Sequence, residues 1–173
     1  MNINSINKTE YPLYAQLYID TVLKELQMIP GITGLSDESM AFFESIPDEK
    51  WDFSYDTGKW SIKEVVQHII DTERIFVHRL FRIGRGDATP LPGYDENTYI
   101  TPSKASEKSS QTLLKEYQTT RDFTLSIIES LHENDFSNMG EASGFPVSAR
   151  ALVFIIIGHE LHHIDVLKTR YLL

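Results

Sequence analysis

The chain of 173 residues has the length of one ordinary domain, and its 41% hydrophobic and 24% charged residues are the balance of a globular chain with its own core. Its 16 basic against 25 acidic residues give a net charge of −9, which argues against nucleic acid or an anionic membrane as a partner. There is no cysteine, so disulfides and thiolate ligands are excluded and any metal must be held by nitrogen and oxygen. No repeat or linker divides the sequence, and a single domain over 1–173 is expected. The opening MNINSINKTEYPLY lacks the apolar stretch of a leader. The longest apolar run, ALVFIII at 151–157, falls far short of the ~20 residues that cross a bilayer. A soluble, cytoplasmic protein is the expectation.

In chain order, the first expected helix covers about 12–29, with Pro12 suited to a first turn and Leu13, Leu17, Val22, Leu26 and Ile29 near helical spacing. Pro30-Gly31 is expected to break it. A shorter helix is expected from Ser36, where Ser-Asp-Glu-Ser offers a cap and an acidic first turn, to Ile46 before Pro47. The clearest helix follows. Ser61 and Glu64 form a capping box, and Ile62, Val65, Val66, Ile69, Ile70, Ile75, Phe76, Leu80 and Phe81 carry the apolar period to about Gly84. Gly86, Pro90, Pro92, Gly93 and Pro102 then mark a long ordered loop over 85–103, of a length that is usually functional or a crossover. A helix over about 107–131, a glycine-bearing loop over 138–146 and a last helix over about 147–171 complete the chain. No segment alternates as a strand does. The expected fold is all-α: a four-helix bundle with a long loop between its second and third main helices.

The string GHELHH at 158–163 fits H-E-x-x-H, in which two histidines one turn apart hold zinc and the glutamate is the base of a protease. His159 and His163 do share a helix face. A protease, however, takes its third ligand downstream, where only Ile164 to Leu173 follow and the sole acid, Asp165, faces away from the pair. The apolar run before the motif also reads as a buried bundle helix, not one beside a substrate cleft. His68 is the better third ligand, because it lies mid-helix among Val65, Val66, Ile69 and Ile70, where a neutral imidazole must still satisfy two ring nitrogens. Three imidazoles on a divalent cation leave positions open for water or substrate. Zinc and nickel lead, and iron and manganese are also compatible with an all-nitrogen set. His78 and His132 read as peripheral, and His162 as the flank of the site. A lone core histidine is more often structural than a ligand; the H-x-x-x-H pair makes ligation about an even proposition.

Gly58-Lys59-Trp60-Ser61-Ile62 with Val65, Val66, His68 and Asp71-Thr72-Glu73-Arg74 resembles the second helix of the DinB/YfiT-like proteins. Pro90-Leu91-Pro92-Gly93-Tyr94-Asp95-Glu96 is similar to the segment that follows in one branch of that family, and Gly158-His159-Glu160-Leu161-His162-His163 to its last helix. The resemblance implies a four-helix bundle, often a homodimer, with metal ligands at His68, His159 and His163. It further implies a small-molecule substrate. Characterised members are transferases or isomerases that use low-molecular-weight thiols such as bacillithiol or mycothiol, and others are described as metal-dependent hydrolases.

Two reactions suit such a site: a metal-held thiol transferred to a small electrophile, or a metal-held water used for hydrolysis. Thiol-dependent S-transfer is the first expectation, hydrolysis the second, and a non-enzymatic stress-response binding module the third. Glu64, four residues before His68, and Asp71, three after it, are the candidate catalytic acids, against the plain alternative of helix-surface charges. Glu73 and Arg74 are expected to form structural pairs near the loop, and Glu160 to support the site without acting as its base. Trp60 and Tyr94 are candidates for the pocket mouth, with plain packing as the alternative.

Overall fold

Ser61 sets the start of the helix on which much of the molecule is built. Its hydroxyl accepts from the Glu64 N–H at 3.3 Å and the Glu64 carboxylate accepts from the Ser61 N–H at 2.7 Å, so the capping box is formed. The computed structural model describes residues 6–22 and 28–172. Its helices are α1 (Gln16–Thr21), α2 (Met28–Glu44), α3 (Ile62–Gly84), α4 (Asn97–Ser103), α5 (Ser110–Glu129) and α6 (Ala149–Val166), the last extended by a π-helical turn over Leu167–Tyr171. The long helices α2, α3, α5 and α6 form the bundle, with α3 lying along both α5 and α6, and α2 also packed on that pair. α6 is apolar nearly all round because it is central, covered by α1, α2 and α3, and a helix with no polar face belongs inside. Among the described residues, no helix is long and apolar enough to cross a membrane.

The N-terminal part departs from the sequence expectation. A 3-10 turn over Leu13–Ala15 leads into α1, which ends at Thr21 with Val22 extended. Leu13 and Leu17 face solvent, and Leu26 falls outside the described residues. Pro30-Gly31 does not break a helix: both lie within α2. Ser36 therefore sits inside α2 and does not cap it.

The 138–146 segment is not a simple loop. β1 (Met139–Ala142) and β2 (Phe145–Ser148) form an antiparallel hairpin, in the register Met139↔Ser148 to Ala142↔Phe145. Its two turn residues, Ser143 and Gly144, both have positive φ (56° and 80°), as a two-residue hairpin turn requires. The hairpin fastens the long loop: the Leu91 N–H donates to Glu141 O and the Ser143 N–H to Leu91 O, each at 2.9 Å. The loop is also partly helical, through α4, and a 3-10 turn over Ala105–Glu107 follows it.

The core is divided by polarity. One apolar cluster takes Phe76, Leu80 and Ile83 from α3, Ile128 from α5 and Leu152 to Ile157 from α6. The other takes Ile62, Val65, Val66, Ile69 and Ile70, with Leu113, Tyr117 and Ile164. Between them, at the same level of three helices, lie buried Thr72 and Glu73, Thr120, Arg121 and Thr124, and His159 and Glu160. A polar layer crosses the middle of the bundle.

Two contacts fix α6 against the N-terminal segment. The carboxylate of Glu10, buried beside the start of α6, accepts from the Arg150 guanidinium, and that bond holds its pKa at about 2 against an ordinary 4.5. Gly158 meets α1 so closely that a Cβ there would sit 1.9 Å from Tyr18 O. Gly158→Ala should therefore destabilise the fold by about 3 kcal/mol or more, measured by urea unfolding. The Glu10 bond stabilises above the carboxyl's ordinary pKa of 4.5, and its contribution is lost as pH falls through about 2. Glu10→Gln should then lower stability near neutral pH by about 1–3 kcal/mol, the gap to wild type closing as the pH approaches that lower value.

Candidate metal centre

His68 is carried by α3, and His159 and His163 lie one turn apart on α6, the helix packed along it. Side chains four apart on a helix project together, so the α6 pair presents both rings to α3. The three rings meet: centroids are 4.9 Å apart for His68 and His159, 4.8 Å for His68 and His163 and 4.5 Å for His159 and His163. One nitrogen from each lies within 4.8 Å of the others, and the Nε2 atoms of His68 and His159 are 3.0 Å apart.

Burial keeps these rings neutral. It pushes His68 down to about 4 and His163 to about 3. His159 is depressed by burial first and by its histidine neighbours second. Three neutral imidazoles with converging lone pairs are a donor set that fits a divalent transition metal. Thr72, one turn beyond His68, has its hydroxyl 3.4 Å from His68 Nδ1 and 2.8 Å from the Tyr94 hydroxyl. With Nε2 turned to the cluster, Nδ1–H is left to donate outward, which is how ligating imidazoles are held in orientation. Burial raises the Tyr94 hydroxyl to about 12, so it stays protonated.

Two cavities share the wall formed by Trp60, His162 and His163. One, of about 280 Å³, is lined by all three clustered histidines with Tyr18, Phe76, Tyr94 and Glu96. The other, of about 340 Å³, lies toward Tyr55, Lys59, Val166 and Tyr171. Trp60 and Tyr94 thus both line the site, and Trp60 also packs on His68 with ring centroids 4.9 Å apart. His162 flanks the cluster, outside the group of three. His78 and His132 are exposed.

The two candidate acids lie apart from this centre. Glu64 is engaged in the α3 cap. Asp71 accepts from Gln67 Nε2 at 3.0 Å and from Arg74 Nη1 at 3.1 Å, in a network that continues through Arg74 to Glu116 on α5. The carboxylate that does line the histidine cavity is Glu96, at the start of α4, whose charge reaches His68, Tyr18 and Tyr94. Sequence spacing gives Thr72 away, as it lies four residues from His68; nothing in the sequence brings Glu96 to the site.

Glu160 points from the histidine pair into the polar layer. Arg121 of α5, with 0% of its surface exposed, donates from Nε and Nη2 to the two oxygens of Glu73 at 3.0 and 2.8 Å and from Nη2 to Glu160. Thr124 donates to Glu73 and Tyr117 to Glu160, each at 2.6 Å. Glu73 is therefore paired inside the bundle and not near the loop, because its position on α3 faces α5. Burial works against the Arg121 charge, yet Glu160 and Glu73 together hold its pKa above the ordinary value. Two carboxylates against one guanidinium leave a formal charge of −1 next to His159, a setting that favours a cation on the cluster.

A helical bundle with three histidines from two helices gathered at a cavity defines a class of metal-site helical proteins. The DinB superfamily model matches residues 33–167, and the chain belongs to that superfamily. YfiT from Bacillus subtilis, described as a probable metal-dependent hydrolase with an unusual four-helix bundle topology, is similar at 21% identity and a TM-score of 0.69, over 90% of this chain and 89% of that one. A mycothiol-dependent maleylpyruvate isomerase is similar at 15% identity and a TM-score of 0.66, over 86% of this chain and 62% of that one. At these identities the likeness is one of fold. No curated protein matches the chain.

Removing the cation of the polar layer strands two buried carboxylates. Arg121→Met should cost about 3–5 kcal/mol in chemical denaturation. Adding Glu73→Gln and Glu160→Gln in the same chain should recover part of that loss, since no buried charge is then unpaired.

Proposed function

We propose that the protein is a divalent-metal-dependent enzyme that transfers a low-molecular-weight thiol to a small electrophile. The observation that carries this reading is the convergence of three neutral histidine nitrogens within 4.8 Å, at a cavity that shares His163 with a second one. Two adjoining spaces suit a reaction of two substrates, and cavities of this size take small molecules. A bound metal lowers the pKa of a thiol or water held against it. The mycothiol dependence of a protein with the same fold supports a thiol as the nucleophile.

The chain's own part follows from its side chains. His68, His159 and His163 would hold the ion, and Thr72 orients His68 through Nδ1. Trp60, Tyr18 and Phe76 screen the centre from bulk water. Glu96 accepts the proton that the thiol S–H gives up, and the sulfur pair then forms the new bond to the electrophilic carbon while a π pair of that carbon moves to its neighbouring atom, which takes the proton back from Glu96. Glu96 is also the observation that favours the second reading, hydrolysis, in which it takes a proton from water; the description of YfiT points the same way.

Elemental analysis of untagged protein should find about one divalent ion per chain; no bound metal and no affinity on titration would sink both readings. His68→Ala should weaken metal binding by more than the about 10–100-fold typical of an outer partner, whereas Thr72→Val should fall inside that range. Assay of bacillithiol and mycothiol with small electrophiles, beside ester and amide substrates without thiol, then separates transfer from hydrolysis. Thiol-independent turnover would decide for hydrolysis. Metal bound with no turnover in either arm would favour a binding module.

A further inference from the structure

Four of the buried charged side chains, Glu10, Glu73, Arg121 and Glu160, stand in ion pairs. Arg79 on α3 does not. It is 3% exposed, and no carboxylate among the described residues lies within ion-pair distance. Burying an unpaired cation is costly, so the absence of a counter-charge calls for a cause. Its guanidinium lies over the rings of Phe76 and Tyr94, at 5.6 and 5.9 Å from their centroids. Both of its hydrogen bonds leave from Nη2, to Pro92 O and to Ser143 Oγ at 2.9 Å each. A guanidinium has five N–H donors, so those on Nε and Nη1 are without a partner among the described residues. These nitrogens are not sealed off either, because the fully enclosed side-chain atom that lacks a partner is Ser39 Oγ.

Arg79 borders a cavity of about 280 Å³ between α3 and the 91–99 segment, walled by Arg74, His78, Pro92, Tyr94 and Tyr99. The other crevice it touches, of about 10 Å³, holds no more than a water. Arg74 is already paired with Asp71 and Glu116, so the uncompensated charge is the single one of Arg79. That matches a monoanion, and the aromatic and proline walls match an apolar body. Tyr94 also lines the histidine cavity, so the two spaces are neighbours separated by one ring.

We propose that this cavity is a binding site for a small organic carboxylate, whose oxygens accept from the free N–H groups of Arg79 and whose apolar body packs on Tyr94 and Tyr99. The site is distinct from the histidine cluster and does not rest on the reaction proposed there.

Benzoate is the probe, titrated by NMR into the full chain with and without a divalent metal, and inorganic phosphate is the competing anion. Saturable binding should appear in both metal states, with shifts centred on Gly93, Tyr94 and Ser143, and phosphate should bind more weakly. Arg79→Lys should weaken benzoate about tenfold or more, since an ammonium does not reproduce the planar fork. Ile75→Phe, which fills the cavity and leaves Arg79 with its bonds to Pro92 and Ser143, should do the same. Unchanged binding in both variants, meaning an adventitious additive only, overturns the site. So does binding that vanishes when metal is removed, which would put benzoate on the histidines, or a preference for phosphate.

Discussion

The guanidinium of Arg121, enclosed where the four long helices meet, is the contact on which the middle of the molecule depends. It donates to Glu73 on α3 and to Glu160 on α6, and lies 3.5 Å from Ile32 O on α2. Each of those carboxylates would be intolerable alone in a bundle core, and each is completed by a hydroxyl, Thr124 for one and Tyr117 for the other. The arrangement joins the two helices that bear histidines through a third that bears none. Glu160 adjoins His159, and Glu73 lies five residues beyond His68, so the same bonds that satisfy the charges set how α3 and α6 are turned toward each other.

The histidine cluster is the end of that layer that borders a cavity. Two apolar clusters close it above and below, which is why its imidazoles are held neutral and ready to bind through their lone pairs. The aromatic rings around it come from separate parts of the chain: Tyr18 from α1, Trp60 from the segment before α3, Tyr94 from the loop that the hairpin fastens. The three histidines thus stand on two packed helices, while Trp60 and Tyr94 beside them come from loops, which can vary without disturbing the bundle.

How far the sequence reaches depends on the range of each signal. The α3 cap at Ser61 and Glu64 and the long apolar run of α6 are legible because both are local. Pro30-Gly31 misleads because a Pro-Gly pair reads as a helix break in the sequence, yet both residues lie within α2. The hairpin at Met139–Ser148 escapes because four-residue strands around Ser143-Gly144 carry too little alternation to stand out. Asp71 and Glu64 attract notice by spacing from His68, yet spacing on one helix does not say which neighbour a side chain meets, and Asp71 is taken up by Gln67 and Arg74 of its own helix.

By itself, then, the sequence determined the helical class, the i,i+4 histidine pair on α6 and the buried setting of His68, since periodicity and apolar flanks are properties of consecutive residues. Only the tertiary structure decided that Glu160 serves Arg121, that Glu96 borders the histidines, and that Arg79 is buried without a counter-charge among the described residues. Those facts depend on how α3, α5, α6 and the 91–99 segment are turned toward one another. That is fixed by long-range packing and charge compensation between residues distant in the chain, such as Arg121 with Glu73 and Glu160.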